Sequence, residues 1–469
     1  MQTTTDAPSA RRRQWGSDRR TEPLPVVAPP VSEKRIRMGR LAIVLTVSAW
    51  FAYMCLSIFQ QFIEGRANSA RLVVEAVVYM TVVTALTASA MGYLITRIGF
   101  FYRIGSHRRA PRAALDDFFD EHSPGLSVLV PSYQEDERVV RATLLSAALQ
   151  EHPDLRVVLL IDAPPVPADA HAVNLLDQAR SLPGRIQAQL AEPLRRFESS
   201  LLTFEEGHRT GEHLPTVDAM HTLASDYGAA VEWLRDLAAS QEIVDHSDTF
   251  FADHVVGALA DDLDVIGTAV AAAAAEGAVL PVRRMRQLHR RLVATFKAEL
   301  VCFERKQYVS LSHAPNKAMN LNSYIGLMGA SYRETQTPMG TALVACAPRV
   351  ADVTVPHTDY ILTLDADSVL LPEYTARILY LMEQGAHSNV AVSQTPYSSF
   401  PGAATRIERI AGATTDLQHL VHQGLTHYDA TFWVGANAIL RKRALDDICE
   451  IDYEGDWEIR RYIQDRTVI

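Results

Sequence analysis

The chain has 469 residues, 48% of them apolar, and a formal net charge of −10. That length suits two or three domains with sizeable cores, and the acidic balance gives no footing for nucleic acid as a partner. Cys55, Cys302, Cys346 and Cys449 stand far apart with no Cys-x-x-Cys or Cys/His spacing. Neither a disulfide framework nor a structural zinc site is therefore indicated, and a reducing, cytoplasmic setting fits.

Residues 1–37 are rich in Arg, Thr and Pro and read as a disordered basic arm that meets anionic lipid. Residues 38–100 read as a transmembrane hairpin. The stretch 41–63 carries no charge and 72–95 carries only Glu75, so each is long enough to cross roughly 30 Å of hydrocarbon as a helix. Arginines and lysines from Arg11 to Arg40 precede the first span, and Arg97, Arg103, Arg108, Arg109 and Arg112 follow the second. The loop between holds only Arg66 and Arg71. By the positive-inside bias both flanks face the cytoplasm, which places an integral protein in the plasma (inner) membrane with its larger domain cytoplasmic.

The segment 120–167 has the pattern of a parallel βαβ unit: an apolar strand at 126–131, a helical period over 139–149, and a second apolar strand at 156–161 that ends at Asp162. Such units bind ligands outside the carboxyl ends of their strands. From 168 to 305 the sequence favours helix and shows scarcely any strand signal, which reads as an inserted helical segment. Its histidines, His208, His213, His221, His246, His254 and His289, form no metal-ligand spacing. The basic cluster Arg283, Arg284, Arg286, Arg290 and Arg291 reads as a solvated helix face, with docking on lipid as the alternative. The α/β pattern returns over 306–469, with a strand at 360–364, a helix at 373–383, a strand at 390–392 stopped by Gln394-Thr395-Pro396, and helices at 417–424 and 443–448.

Asp365-Ala366-Asp367 follows the apolar run 360–364, so two carboxylates one residue apart arrive at the carboxyl edge of a buried strand. There they suit a divalent cation held against a diphosphate, the chemistry of a sugar-nucleotide transferase, although Asp-x-Asp also occurs in solvated turns. Pro131-Ser132-Tyr133-Gln134-Glu135 ends the first strand with a hydroxyl, an aromatic ring and a carboxylate, groups that suit a base and a ribose. A strand-terminating Pro followed by a helix cap is the alternative.

On these motifs the chain resembles the inverting, membrane-bound family 2 glycosyltransferases, particularly the cellulose-synthase-like processive group with its GT-A fold. The likeness covers about 126–165 and 308–469 together with the hairpin, and skips the helical insertion. It implies donor contacts from Ser132, Tyr133, Glu135 and Asp162, although Ala163 stands where a second Asp is common. His313-Ala314-Pro315-Asn316-Lys317-Ala318-Met319-Asn320-Leu321-Asn322 is similar to that family's His-Ala-Lys-Ala-Gly-Asn-x-Asn segment, with two extra residues and Met319 in place of Gly. It implies that Lys317, Asn320 and Asn322 meet the donor, that Asp365 contacts the sugar diphosphate, and that Asp365 and Asp367 hold Mg²⁺ or Mn²⁺. Gln394 in Gln-Thr-Pro, and Trp433 and Gly435 in Phe432-Trp433-Val434-Gly435-Ala436-Asn437, are implied on the acceptor side, with Trp433 as plain core the competing reading.

The fold class expected is α/β: a GT-A, Rossmann-like nucleotide-sugar domain split by a helical insertion and preceded by two transmembrane helices. The implied activity is inverting transfer of a hexose from a UDP-linked sugar to a glycan acceptor in polysaccharide synthesis at the bilayer. A non-processive transferase with a lipid-phosphate acceptor and a non-catalytic donor-binding or scaffold subunit are the alternatives. In the resembling family a run like Gln464–Ile469 leads into the acidic motif of the catalytic base. The base is therefore expected beyond Ile469, and the chain is read as an N-terminal fragment that is inactive alone.

Overall fold

The computed structural model describes residues 31–463 apart from 64–68, 168, 209–214, 396–397 and 436. Residues 1–30 of the basic arm, Arg66, His213, Pro396, Ala436 and the run 464–469 thus lie outside the described residues. In chain order the elements are α1 (Glu33–Ile63), α2 (Ala70–Ser106), α3 (Arg112–Glu121), β1 (Leu126–Ser132), α4 (Glu137–Ala148) and β2 (Leu155–Ile161). There follow α5 (Ala170–Gly207), α6 (Val217–Ala239), α7 (His246–Phe250), a π-helical turn (Phe251–Gly257), α8 (Ala258–Ala275), α9 (Val282–Phe296), β3 (Glu299–Phe303) and α10 (Lys317–Ile325). Last come β4 (Ala330–Thr337), β5 (Gly340–Ala345), β6 (Val353–Val355), β7 (Tyr360–Thr363), α11 (Tyr374–Glu383), β8 (Val392–Gln394), α12 (Arg406–His427), β9 (Ala438–Arg441), α13 (Lys442–Asp447), β10 (Glu450–Glu454) and β11 (Trp457–Arg461).

These form two compact units, one of residues up to Arg109 with Pro396–Phe432, the other of Ala110–Thr395 with Trp433–Ile469. In the first, α1 and α2 are long and apolar enough to cross a membrane. Helix begins at Glu33, so the last residues assigned to the basic arm are the first turn of α1. Helix α12 packs on α2 where two glycines meet: a Cβ on Gly424 would stand 1.9 Å from the Thr96 carbonyl oxygen, and one on Gly99 would stand 2.7 Å from the Gly424 carbonyl oxygen. Backbones approach that closely only where side chains are missing. This crossing separates 396–432 from the rest of the 306–469 piece. The amino-terminal half of α12 carries its own sequence mark, a Thr405/Glu408 capping box.

The second unit is built on a six-stranded sheet in the order β3-β2-β1-β7-β9-β8. β3, β2, β1 and β7 run parallel, β9 is antiparallel to β7, and β8 is antiparallel to β9. β1 and β2 are near-continuous apolar runs because both of their faces are covered. Leu129, Val158 and Leu160 pack with Leu321, Tyr324 and Ile325 of α10 in the core. β4, β5 and β6 form a separate antiparallel sheet, and β10 and β11 form a hairpin.

Two expectations change here. The stretch 168–305 is not helical to its end, because Leu300-Val301-Cys302-Phe303 pairs in parallel with β2 as the edge strand β3. Nor is the basic face of α9 only a solvated face: Arg283 and Arg290 stay exposed, but Arg291 is buried and the cluster is paired with carboxylates. Arg284 pairs with Asp116 at 2.6 Å, Arg290 with Asp120 at 2.6 Å and Arg291 with Glu151 at 2.5 Å. Helix α9 is thereby tied to α3 and to the turn before β2.

Candidate active site

β1, β2 and β7 deliver their carboxyl ends to one edge of the sheet, at Ser132, Ile161 and Thr363. In the turn after β1, the Glu135 carboxylate accepts hydrogen bonds from the Ser132 hydroxyl and the Tyr133 N–H. Gln134 takes a left-handed φ of 59°, and Asp136 caps α4 by accepting from the Arg138 N–H at 2.8 Å. Glu135 therefore braces its own turn, whereas the Tyr133 ring stands 53% exposed. An exposed ring at a strand end suits stacking on a base.

Asp162 follows β2, and its N–H donates to the Ser132 carbonyl at 2.9 Å. Its Oδ1 accepts from Arg305 Nη2 at 2.6 Å and Nε at 3.0 Å, and Lys306 Nζ lies 3.3 Å away. The Arg305 side chain is wholly buried; its Nη1 donates to the Ser312 carbonyl and its Nη2 also to the Ala314 carbonyl at 2.6 Å. Burial pushes this guanidinium below its ordinary pKa while Asp162 opposes the shift. Arg305 and Lys306 belong to no motif in the sequence. The one mark they leave is a charged triplet, Glu304-Arg305-Lys306, directly after an apolar run.

Lys317 is the first residue of α10, whose cap is Asn316 accepting from the Met319 N–H at 2.7 Å. Its ammonium forms an ion pair with Asp365 Oδ1, and the two side chains stay 41% and 31% exposed. The two extra residues before Lys317 thus do not carry it away from the acidic turn. Asn320 and Asn322 depart from expectation, because both are fully buried. Asn320 donates to the Leu160 carbonyl at 2.9 Å. Asn322 donates to the Ile463 carbonyl at 2.8 Å and accepts from the N–H groups of Tyr462 and Ile463. Both amides turn inward, where they tie α10 to β2 and to residues 462–463.

After β7 the chain turns, with the Ser368 N–H donating to the Asp365 carbonyl at 3.0 Å, and Asp367 is exposed. Asn437, at φ 50°, is the neighbour the motifs do not single out. Its Oδ1 accepts from the Asp365 N–H at 3.4 Å and its Nδ2 donates to Ser368 Oγ at 3.3 Å. Gln394 is the last residue of β8 rather than the stop after a strand at 390–392, and its side chain accepts from the Val434 N–H at 3.0 Å. Tyr374 links both pieces, with its hydroxyl 2.7 Å from Thr395 Oγ1 and 3.3 Å from the Asn437 carbonyl. Trp433 packs against the hydrophobic core with its indole N–H buried and unpartnered, so much of its ring is core rather than open face. Gly435 takes φ +100°, a conformation that favours glycine.

The edge therefore gathers a cation, Lys317, two carboxylates, Asp365 and Asp367, and an exposed ring, Tyr133. Among the described residues no group of three or more His, Cys, Asp or Glu is arranged to hold a metal. Two carboxylates are the protein share that a hard cation such as Mg²⁺ takes when phosphates and water complete its shell, and the donor set fits that role rather than an all-protein cage.

Residues 360–468 match the family model described as Glycosyl transferase family group 2. The match spans Asp365, Asp367, Gln394, Trp433 and Gly435, supports glycosyl transfer, and implies a nucleotide-sugar donor and an acceptor. No curated protein matches the chain.

Proposed function

We propose that the protein transfers a hexose from a UDP-linked sugar to a glycan acceptor, with inversion, in polysaccharide synthesis at a membrane spanned by α1 and α2. In this reading the second unit is a GT-A-type donor domain and α5 to α9 are an insertion within it. The observation that carries it is the meeting of Lys317 with Asp365, beside Asp367, at the carboxyl edge of the parallel strands. A partly exposed ion pair of that kind is what a diphosphate would displace: its oxygens would take over Lys317 as a point charge and leave Asp365 available to a cation. Asp365 and Asp367 would hold Mg²⁺ or Mn²⁺. The bound ion would supply Lewis-acid neutralisation of the leaving diphosphate. Tyr133 offers its ring to the base, while Arg305 holds Asp162 in place beside the turn after β1. Gln394, Gly435 and Trp433 support the loop on the acceptor side.

Titration of the full chain in detergent with UDP, GDP and ADP, each with Mn²⁺ and with EDTA, tests this reading. Preferential, metal-dependent UDP binding that Asp162→Ala flattens is expected. Equal competition by all three nucleotides in the unmutated protein would remove the uracil site.

A further inference from the structure

Helix α4 carries the helical period of 139–149, and its buried face is interrupted by polar residues. Thr143 and Ser146, at i and i+3 on one face of α4, and Gln150 in the turn just after it are 0%, 0% and 1% exposed. A buried hydroxyl or amide is costly unless bonded. Each of these is bonded to the backbone of the segment that carries the acidic turn. Thr143 Oγ1 donates to the Ala366 carbonyl at 2.7 Å, and Ser146 Oγ accepts from the Leu370 N–H at 3.0 Å. Gln150 donates to the Leu371 carbonyl at 3.1 Å and accepts from the Thr375 N–H at 3.1 Å.

The stripe continues one residue further. Glu151 has φ 55° and Glu373 has φ 63°, both left-handed without being glycine, and Arg112 Nη1 bridges their carboxylates at 2.8 and 3.0 Å. Such backbone persists only where its surroundings hold it. The chain from Ala366 to Thr375 is thus fixed along its length by one face of α4 and the turn after it.

We infer that α4 is the mould for the acidic turn, with Thr143 a positioning residue that aligns Asp365 and Asp367 before any ligand arrives. The Thr143 hydroxyl grips the carbonyl of Ala366, the residue between the two carboxylates. Fixing that one peptide fixes the separation and direction of both side chains, so the ordering cost falls on folding rather than on binding. This inference rests on the donor-site reading above.

The test uses the full chain in lipid nanodiscs, with Thr143→Val removing the hydroxyl at constant shape and Thr143→Ser keeping it. Amide hydrogen exchange is followed for residues 364–371 against β1 and β2, and Mn²⁺ binding in the presence of UDP is followed by electron paramagnetic resonance. Thr143→Val is expected to speed exchange in 364–371 by about tenfold and to weaken Mn²⁺ by a similar factor, with β1 and β2 unchanged, while Thr143→Ser stays within about twofold. Unaltered exchange and Mn²⁺ affinity in Thr143→Val, or exchange that rises equally in β1 and β2, would overturn the inference. Should Thr143→Val not fold, Ser146→Ala carries the same comparison. If the unmutated protein binds UDP equally with and without Mn²⁺, the donor-site reading fails, and the exchange data alone decide whether α4 sets the turn.

Discussion

Two ion pairs in the second unit differ in kind. Lys317 and Asp365 meet at the sheet edge with 41% and 31% of their side chains exposed. Arg291 and Glu151 meet behind α4 with 3% and 0% exposed, and Glu151 also takes Arg112 at 2.8 Å. An exposed pair contributes little stability and exchanges partners readily, whereas a buried one is hard to form and harder to break. The first is suited to a site a ligand enters, and the second to the scaffold that holds the site still.

The largest effect should come from breaking the scaffold pair. Arg291→Met leaves Glu151 buried with one cationic partner fewer and is expected to cost about 3–5 kcal/mol, read from urea unfolding. Lys317→Met should cost at most about 1 kcal/mol in the same measurement while removing UDP binding. If the two variants lost equal stability, the distinction between site and scaffold would not hold.

Acid separates the regions as well. Burial drives the imidazoles of His152 and His289 down to about 4. Below their unfolded value of about 6.5 the unfolded chain takes up protons that the folded one refuses, so stability falls as pH drops from about 6.5 to about 4, by on the order of 3 kcal/mol per histidine at most. A His289→Gln variant should lose about half of that slope in urea midpoints taken across the range. Glu373 behaves oppositely in origin: burial alone would raise its pKa, but hydrogen bonds from Arg377 and Arg112 hold it at about 2. Its contribution is present above its unfolded value of about 4.3 and is lost only as pH falls from there through about 2. Arg377→Met should raise the folded pKa of Glu373 toward its unfolded value and so shrink that loss, which then ends at a higher pH.

A smaller effect belongs to Asp367. It is exposed, so Asp367→Asn should change stability by less than about 0.5 kcal/mol while abolishing metal-dependent nucleotide binding. Stability loss on the scale of Arg291→Met would place Asp367 in the scaffold instead.

What the sequence made legible follows local physics. β1, β2 and β7 stand out because parallel strands covered on both faces read as unbroken apolar runs, and the strand ends then point to Ser132, Asp162 and Asp365. β3 hides because five residues follow α9 closely, and β4 because its outer part, Arg333-Glu334-Thr335-Gln336, is polar and exposed. The β10–β11 hairpin does carry a mark, the turn at Gly455 with φ +63°. Contacts between distant residues leave none. Arg305 meets Asp162 across 143 positions, and Thr143 meets Ala366 across 223. The burial of Asn320 and Asn322 is hidden too, since spacing gives a helical period but not which amide faces the core.

The central claim is that Lys317, Asp365 and Asp367 receive a metal-bound nucleoside diphosphate. Calorimetric titration of the full chain with UDP, first in Mn²⁺ and then in EDTA, addresses it most directly, with Asp367→Asn as the control. Binding that is strong in Mn²⁺, weak in EDTA and weak in Asp367→Asn under both conditions is the predicted result. UDP affinity that is the same in Mn²⁺ and EDTA, and unchanged by Asp367→Asn, would contradict it.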